Sequence, residues 1–208
     1  MIFLRRETFK GYLKSYPGIV GIVILCLLYF IFELFGGYLK NSLTLYQAGA
    51  LLSIPVEDPI ALHQPWRYIT SMFMHADFYH IFHNMFMLII FAPPLERLIQ
   101  TKRFIPFYLL CGIGGSLIAV LISSAKGIPM IHLGASGAVY GVLGAYLFMA
   151  LFRKRMLDEQ SKKTIYMILA IGIISSIIVP NISLWGHIGG LVTGLLLYRL
   201  FDRRQFKA

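Results

Sequence analysis

Long apolar runs alternate with short polar stretches along the chain. The runs cover residues 19–35, 78–98, 104–123, 136–152, 164–179 and 184–200. A helix that spans a bilayer needs about 20 mostly apolar residues, with a lower limit of about 17. The pattern therefore predicts an all-α membrane protein, built as a bundle of six transmembrane helices.

The amino-acid composition is also typical of a protein that resides in a lipid bilayer. Of the 208 residues, 58% are apolar or aromatic and 13% are charged, and the mean hydropathy is +0.73. A soluble globular domain has about 25% charged residues. The shortage of charge excludes a large soluble domain and favours one compact helical bundle.

The stretch between the first two runs, residues 38–74, is too polar to cross a bilayer, although it is rich in Leu, Tyr and Pro. Segments 48–54 and 65–70 are predicted as short helices that lie on the membrane, with Trp66 and Tyr68 at headgroup level. We therefore expect a membrane-interfacial loop between the first and second helices.

The fourth run begins irregularly. Gly127, Pro129 and Gly134 oppose regular helix, which we expect to begin near Ser136. Irregular backbone at membrane depth is tolerated only where it is buried in protein or lines a water-filled cavity. Residues 134–136 are therefore a candidate site.

Positive charge lies between the apolar runs, and the net charge is +10. If the chain crosses six times, three cations fall on one side, at Lys40, Arg67 and Lys126. Sixteen fall on the other side: Arg5, Arg6, Lys10, Lys14, Arg97, Lys102, Arg103, Arg153, Lys154, Arg155, Lys162, Lys163, Arg199, Arg203, Arg204 and Lys207. The positive-inside rule then puts both termini in the cytoplasm.

This topology predicts a short cytoplasmic segment (1–16), a membrane domain (17–201) and a cytoplasmic tail (202–208). Topology and contact with anionic lipid account for the charge, so no nucleic acid is expected as a partner. Cys26 and Cys111 lie inside apolar runs and are expected to be buried free thiols. No cleaved signal peptide is expected, because no small-x-small site follows the first run.

Polar side chains inside the runs are functional by default, since burying them in lipid is costly. They fall on the second, fourth and sixth predicted helices: His80, His83 and Asn84; Ser136 and Tyr140; and His187. At 1.5 Å per residue, Ser136 lies about 25 Å above Arg153, and His187 lies about 18 Å above Arg199. Both residues are therefore expected in the outer half of the hydrocarbon core, where they can meet.

Glycines recur at intervals of four residues on the fourth and sixth helices: Gly137 and Gly141, and Gly186, Gly190 and Gly194. Small residues at this spacing let helix backbones approach closely. Packing of these two helices could bring the Ser136 hydroxyl within hydrogen-bond reach of His187. A hydroxyl beside an imidazole is the minimal activated nucleophile.

Three motifs follow in order along the chain, each on a different predicted helix. They are His75, His80 and Asn84 at the spacing HxxxxHxxxN; Gly134-Ala135-Ser136-Gly137 followed by Tyr140; and Gly186-His187-Ile188-Gly189-Gly190. With Trp66-Arg67 and Glu96-Arg97, they resemble the rhomboid family of intramembrane serine proteases. The resemblance covers residues 66–194, and the order agrees with the six-helix core form of that family.

The resemblance implies roles for the matching positions. Ser136 would be the nucleophile and His187 its general base, the same pair that depth and glycine spacing indicate. His80 and Asn84 would donate hydrogen bonds to the tetrahedral oxyanion, together with the backbone N–H of Ser136. The start of a helix near Ser136 adds a favourable dipole for that charge.

Other matching positions would support the site. Tyr140 would support the histidine ring, with Gly134 as a further supporting residue. Trp66 and Arg67 would shape the interfacial loop, and Glu96 would anchor the second helix. No metal or organic cofactor is implied, and the sequence has neither a nucleotide-binding motif nor an HExxH motif.

The implied function is a serine endopeptidase that cleaves other membrane proteins in or near their transmembrane segments. Its partners would be those substrates and the lipid bilayer. Its place would be the bacterial inner (plasma) membrane, with the active site open to the outer face. The motifs carry no information on oligomeric state.

Simpler interpretations of single residues stay open. Ser136 could be only a helix N-cap, and His80 and Asn84 could bond to neighbouring backbone as bundle glue. Asp77 is interpreted as the N-cap of the second helix, which leaves a dyad without a carboxylate. His83 is left out of the site because it points about 100° away from Asn84.

The remaining polar residues are given structural roles: His75 at the outer interface, and His63, His132 and Glu33 as interface residues. Two other functions are also open. A rhomboid relative without protease activity could bind membrane proteins with the same fold. A small transporter would carry broken helices in two repeated halves, and the sequence contains no such repeat.

Overall fold

Helices dominate the computed structural model, which describes residues 2–54 and 57–202. Within these ranges the chain forms α1 (Phe9–Ser15), α2 (Pro17–Phe35), α3 (Ser42–Ala48), α4 (Arg67–Thr70), α5 (Phe78–Phe91), α6 (Pro93–Ile99), α7 (Thr101–Ala125), α8 (Ser136–Phe152), α9 (Glu159–Ile178) and α10 (Leu184–Phe201). Two short strands accompany them, β1 (Leu51–Ser53) and β2 (Met130–His132). The predicted all-α class is confirmed.

All six predicted runs are helical, with ends that differ from the prediction by a few residues. Helices α2, α7, α9 and α10 are long and apolar enough to cross a membrane, and α5 with α6 qualifies as one bent span. Helix α8 is apolar and has 17 residues, which is about the shortest length that can span. The chain is therefore an integral membrane protein built as a helical bundle.

The second predicted span, 78–98, is two helices rather than one. α5 and α6 meet at an angle of 47°, and Pro93 and Pro94 open α6. A proline has no N–H to continue the ladder, and its ring clashes with the preceding turn, so it is tolerated only at a helix start. The proline pair thus ends one helix and begins the next.

The glycine spacing predicted a close approach of the fourth and sixth runs, and the structure confirms it. A Cβ atom on Gly190 would collide with the carbonyl oxygen of Gly137, and one on Gly194 would collide with that of Gly141. Helix α7 joins the same contact, because a Cβ on Gly115 would lie 2.7 Å from the Gly186 carbonyl oxygen. Helices α7, α8 and α10 therefore form the tightest part of the bundle.

The predicted interfacial helix over 48–54 is wrong. Helix α3 ends at Ala48, and Gly49 has a φ of 123°, which favours glycine and stops the helix. Residues 51–53 then form β1, which pairs antiparallel with β2, so that Leu51 lies opposite His132. The partner strand lies far along the chain, so no local pattern reveals it.

The loop is held by Arg67. Its Nη1 donates to the carbonyl oxygens of Tyr46 and Ala50, at 2.5 and 2.9 Å, and the guanidinium lies 3.9 Å from the centre of the Tyr46 ring. Arg67 therefore shapes the loop as predicted. Trp66 is 56% exposed, so its ring is directed outward rather than into the loop.

Glu96 anchors the second span as predicted. Its carboxylate accepts from the backbone N–H groups of Gly18 and Ile19, at 2.8 and 2.9 Å, and from the Thr101 hydroxyl at 2.6 Å. The first two donors belong to the first turn of α2, where N–H groups lack helical partners and a negative charge is favoured. One buried carboxylate thus ties α6 to α2 and α7.

Burial corrects three sequence interpretations. Glu33, His75 and His132 were predicted at the interface, but they are 0%, 0% and 6% exposed. Glu33 Oε2 accepts from the His75 backbone N–H at 3.2 Å, and His132 Nε2 is 3.5 Å from Ser123 Oγ. Among the described residues, Glu33 Oε1 and His132 Nδ1 have no hydrogen-bond partner. Cys26 and Cys111 are buried free thiols, as predicted. The cations at Arg203, Arg204 and Lys207 lie outside the described residues.

Candidate active site

Ser136 is the first residue of α8, at the end of a sharp turn. Gly134 has a φ of 114°, a conformation that favours glycine, and its backbone N–H donates to the carbonyl oxygen of Ser71 at 2.8 Å. The N-cap of α8 is Ala135, and no side chain caps the helix. The interpretation of Ser136 as an N-cap is therefore wrong, and its hydroxyl is not used in capping.

The start of α8 is chemically suited to a negative charge. The first backbone N–H groups of a helix have no partner within the helix and sum to a partial positive charge. Ser136 is half-buried at this point. A hydroxyl oxygen and unpaired N–H donors therefore lie together at one helix end.

His80 borders the same turn. A Cβ atom on Gly134 would lie 2.7 Å from His80 Nε2 and 3.8 Å from Ser136 Oγ. The Nδ1 atom of His80 accepts from the Ala76 backbone N–H at 3.4 Å. A neutral imidazole with an accepting Nδ1 carries its proton on Nε2, so His80 presents an N–H donor toward the Gly134 turn.

Asn84 lies one helical turn after His80 on α5 and is 5% exposed. Its Nδ2 donates to the carbonyl oxygen of His80 at 2.9 Å. A side-chain amide has two N–H hydrogens and one accepting oxygen. The bond within α5 uses one hydrogen and leaves the second for another acceptor. That bond lies inside one helix, so it does not join helices as bundle glue would.

Asp77 caps α5, as predicted. Its Oδ1 accepts from the backbone N–H of His80 at 2.8 Å. Its carboxylate therefore fixes the start of the helix that carries His80 and Asn84.

His187 lies in the first turn of α10 and is 8% exposed. Its ring stacks on Tyr140, with the ring centres 4.1 Å apart and the planes 9° apart. Tyr140 is four residues after Ser136, and residues at this spacing are neighbours on one helix face. The ring of His187 therefore lies one turn from Ser136, on the same side of α8.

The backbones next to Ser136 and His187 are in contact. A Cβ on Gly137 would lie 3.5 Å from the carbonyl oxygen of Gly186. Ser136 and His187 both lie in the described part of the chain, and no hydrogen bond joins their side chains there. Catalytic hydrogen bonds are often long in ligand-free enzymes and tighten when substrate binds.

The other ring nitrogen of His187 has a partner that sequence reasoning missed. Its Nδ1 is 2.7 Å from the Oγ atom of Ser176 on α9. The available signal was the pair Ser175-Ser176 near the end of the fifth apolar run, since hydroxyls inside spans tend to bond to neighbouring helices. None of the three motifs falls in this run.

A second layer of polar groups lies behind His80. The His75 ring is fully buried and meets the His80 ring edge-on, with centres 5.0 Å apart. The backbone N–H of His75 donates to Glu33 Oε2 at 3.2 Å. Burial, with a smaller contribution from His80, lowers the pKa of His75 to about 3, so this ring is neutral at pH 7.

His83 stays outside this group of residues. It is exposed, and its Nδ1 is 3.0 Å from the carbonyl oxygen of Tyr79 on its own helix. His63 is also at the surface, 3.5 Å from Asp58. Across residues 2–54 and 57–202, no three His, Cys, Asp or Glu side chains gather as metal ligands would. The site offers a hydroxyl, a buried imidazole and N–H donors.

Comparison with known proteins identifies related sequences. The Rhomboid domain profile matches residues 62–204. The putative rhomboid protease YdcA of Bacillus subtilis is 32% identical over 200 residues, which cover 94% of each chain.

Two longer relatives align over part of their length. The rhomboid protease GluP of Bacillus subtilis is 34% identical over 83% of this chain and 32% of its own. RHOMBOID-like protein 1 of Arabidopsis thaliana is 33% identical over 77% of this chain and 40% of its own. The chain thus resembles YdcA over nearly its whole length and a part of the other two.

Proposed function

Because the chain belongs to the rhomboid family, we propose that it is an intramembrane serine endopeptidase with a dyad of Ser136 and His187. One observation carries the proposal. The His187 ring is stacked on Tyr140, one helical turn from Ser136 on the same face of α8. A hydroxyl that begins a helix after the Gly134 turn and an imidazole stacked one turn further along that helix support the pairing of Ser136 with His187.

The reaction would begin with proton transfer from the serine. As Ser136 Oγ attacks the carbonyl carbon of the scissile peptide, His187 Nε2 takes the hydroxyl proton. The imidazolium then gives this proton to the departing amine, and the peptide C–N bond breaks. Water hydrolyses the acyl-enzyme with His187 again as base, which restores the free serine.

The oxyanion would be held by N–H donors on two helices. His80 Nε2–H and the backbone N–H of Ser136 border the Gly134 turn, and Asn84, with its second amide hydrogen, lies one helical turn after His80 on α5. Donors fixed before the reaction stabilise the developing charge without reorganisation. The dipole of α8 acts in the same sense.

The substrates would be membrane proteins cleaved in or near a transmembrane segment. Phe82 and Phe86, on the helix that carries His80 and Asn84, are 54% and 51% exposed. Such apolar side chains on a spanning helix face lipid. One side of the helix that carries the proposed oxyanion donors thus faces lipid, where such substrates would reside. A target segment with small or helix-breaking residues would expose its backbone to Ser136 most readily.

The proposed setting is the bacterial inner membrane, with both termini cytoplasmic and the site open to the outer face. The support is the distribution of cations, which puts sixteen on one side and three on the other if the chain crosses the membrane six times. The start of α7 and the end of α10 adjoin one another in the fold, since Arg103 Nη1 donates to the Phe201 carbonyl oxygen at 3.4 Å.

The test is cleavage of a generic single-span protein by the detergent-purified chain. We expect a product with the wild type and none with Ser136→Ala or His187→Ala, while Ser175→Ala, on α9, serves as the control that retains cleavage. Cleavage that survives Ser136→Ala would contradict the proposal. Binding of the substrate without cleavage by the wild type would favour the alternative, a rhomboid relative that only binds membrane proteins.

A further inference from the structure

Ser176 contacts the His187 ring at Nδ1, the nitrogen that a general base acting through Nε2 leaves free. Its Oγ is 2.7 Å from His187 Nδ1 and 2.6 Å from the carbonyl oxygen of Gly172, one turn earlier on α9. Ser176 and His187 are 6% and 8% exposed. Water therefore competes little for these hydrogen bonds, and their direction is set by the protein.

The positions of the protons follow from counting. A serine hydroxyl has one hydrogen, and a carbonyl oxygen can only accept. The Ser176 hydroxyl therefore donates to Gly172, and its lone pair accepts from Nδ1–H of His187. A neutral imidazole has one N–H, so Nε2 is left with a lone pair, as a general base requires.

The opposite arrangement is unfavourable. If Ser176 donated to Nδ1 of His187, its oxygen would lie 2.6 Å from the Gly172 oxygen with no hydrogen between them. Two oxygen lone pairs would then face each other in a buried place, with the carbonyl lacking this bond. The short contact with Gly172 thus selects the tautomer of His187.

Tyr140 and Ser176 constrain different motions of the imidazole. Stacking on Tyr140 at 4.1 Å fixes the plane of the His187 ring, but a stacked ring can still flip within that plane. The bond from Nδ1 removes this freedom by fixing which nitrogen faces α9. Gly172 makes room for the arrangement, because a Cβ there would collide with the Tyr140 hydroxyl.

We propose that Ser176 is a positioning residue of the dyad, which keeps His187 as the Nδ1–H tautomer with Nε2 free to accept the Ser136 proton. This inference rests on the proposed function. It supplies the orientation that a buried aspartate gives in soluble serine proteases. A hydroxyl is neutral and stabilises the imidazolium less, so we expect its loss to cost less than the loss of that aspartate.

A matched pair of variants isolates the hydroxyl. Ser176→Thr and Ser176→Val have similar shapes, and only threonine can keep the bonds to Gly172 and His187. We expect Ser176→Val and Ser176→Ala to lower kcat about five- to tenfold, the value of one neutral hydrogen bond, with KM unchanged. Ser176→Thr should restore most of the rate. Ser175→Ala is the control, because this neighbour points about 100° away on α9.

The tautomer can be read without any activity, from ¹⁵N-histidine spectra in which the His187 signals are identified by their loss in His187→Gln. We expect a protonated Nδ1 in the wild type and in Ser176→Thr, and a mixture of tautomers in Ser176→Val. A protonated Nε2 in the wild type would overturn the inference, as would equal kcat values for Ser176→Thr and Ser176→Val. Absence of Ser136-dependent cleavage would instead refute the proposed function, and the spectra would then decide about Ser176 alone.

Discussion

Two buried histidines, His132 and His187, lie beside serine hydroxyls in this protein. His132 Nε2 is 3.5 Å from Ser123 Oγ, which is 2.8 Å from Ser53 Oγ; we call these three residues the Ser123 cluster. His187 lies between Ser176 and α8, which begins with Ser136. The same residue types thus occur in two settings, of which we propose only the second as catalytic.

The helix end separates the two settings. Ser123 lies in the last turn of α7 and donates to the carbonyl oxygen of Val120 at 3.0 Å. The last turn of a helix exposes carbonyl oxygens and a partial negative charge, which would repel an oxyanion. Ser136 begins α8, where N–H groups and a positive dipole would stabilise one. A serine beside a histidine is therefore insufficient for catalysis. The polarity of the backbone around the hydroxyl decides whether an oxyanion would be stabilised there.

The largest expected effect is a difference between the two serines. Ser136→Ala should lower proteolysis by about 10⁶-fold, as loss of a serine nucleophile does in a soluble protease. Ser123→Ala should keep the wild-type rate within about twofold and lower the free energy of unfolding by about 1–3 kcal/mol. Cleavage rates and thermal unfolding in detergent measure both quantities. Loss of activity in a folded Ser123→Ala protein would contradict the distinction between the two serines.

The second-largest effect is expected from removal of the proposed oxyanion donors. Loss of one oxyanion donor lowers kcat by about 10²–10³-fold. We therefore expect kcat to fall by this factor in His80→Ala and in Asn84→Ala, and both variants to remain folded. Steady-state kinetics give the rates, and circular dichroism tests the fold. Wild-type rates in both variants would mean that these residues serve packing alone.

The buried histidine of the Ser123 cluster should make the stability of the folded protein depend on pH in acid. Burial lowers the pKa of His132 to about 4, and an unfolded histidine titrates near about 6.5. Between these values the unfolded chain binds a proton that the folded chain does not, so stability falls as the pH drops from about 6.5 to about 4. His75 acts in the same sense. Unfolding temperatures measured across this range should fall more gently in His132→Gln, and an unchanged slope would contradict the assignment.

The smallest effect is expected at Asp77. Its carboxylate caps α5 through the His80 backbone N–H, and asparagine caps a helix about as well as aspartate. Asp77→Asn should therefore keep most of the activity in the cleavage assay. A loss near the roughly 10⁴-fold drop that follows amidation of a triad aspartate would instead identify Asp77 as a catalytic partner.

Features encoded locally could be predicted from the sequence. Apolar runs located the spans, and the spacing of Gly137, Gly141, Gly190 and Gly194 predicted the contact of α8 with α10. The Gly134 turn was visible because irregular backbone is costly at membrane depth. Each of these features is indicated by residues that lie close together in the sequence, through their hydropathy or the spacing of their glycines.

Features that depend on distant partners could not be predicted. Strand β1 exists because β2 lies opposite it, and Leu51 and His132 are far apart in sequence. The role of Ser176 depends on the rotation of α9, which places one of two adjacent serines against His187. Glu33 and His132 were predicted as interface residues, but both are buried. Their burial depends on packing that no single segment encodes.

The most direct test of the central claim is the site of covalent labelling by a fluorophosphonate, which reacts with activated serines. Mass spectrometry of the labelled protein should find the probe on Ser136 in the wild type and in His132→Ala, and on no serine in His187→Ala. That outcome would locate the activated serine at the start of α8 and its base on α10. A probe on Ser123, or labelling that survives Ser136→Ala or His187→Ala, would contradict the account.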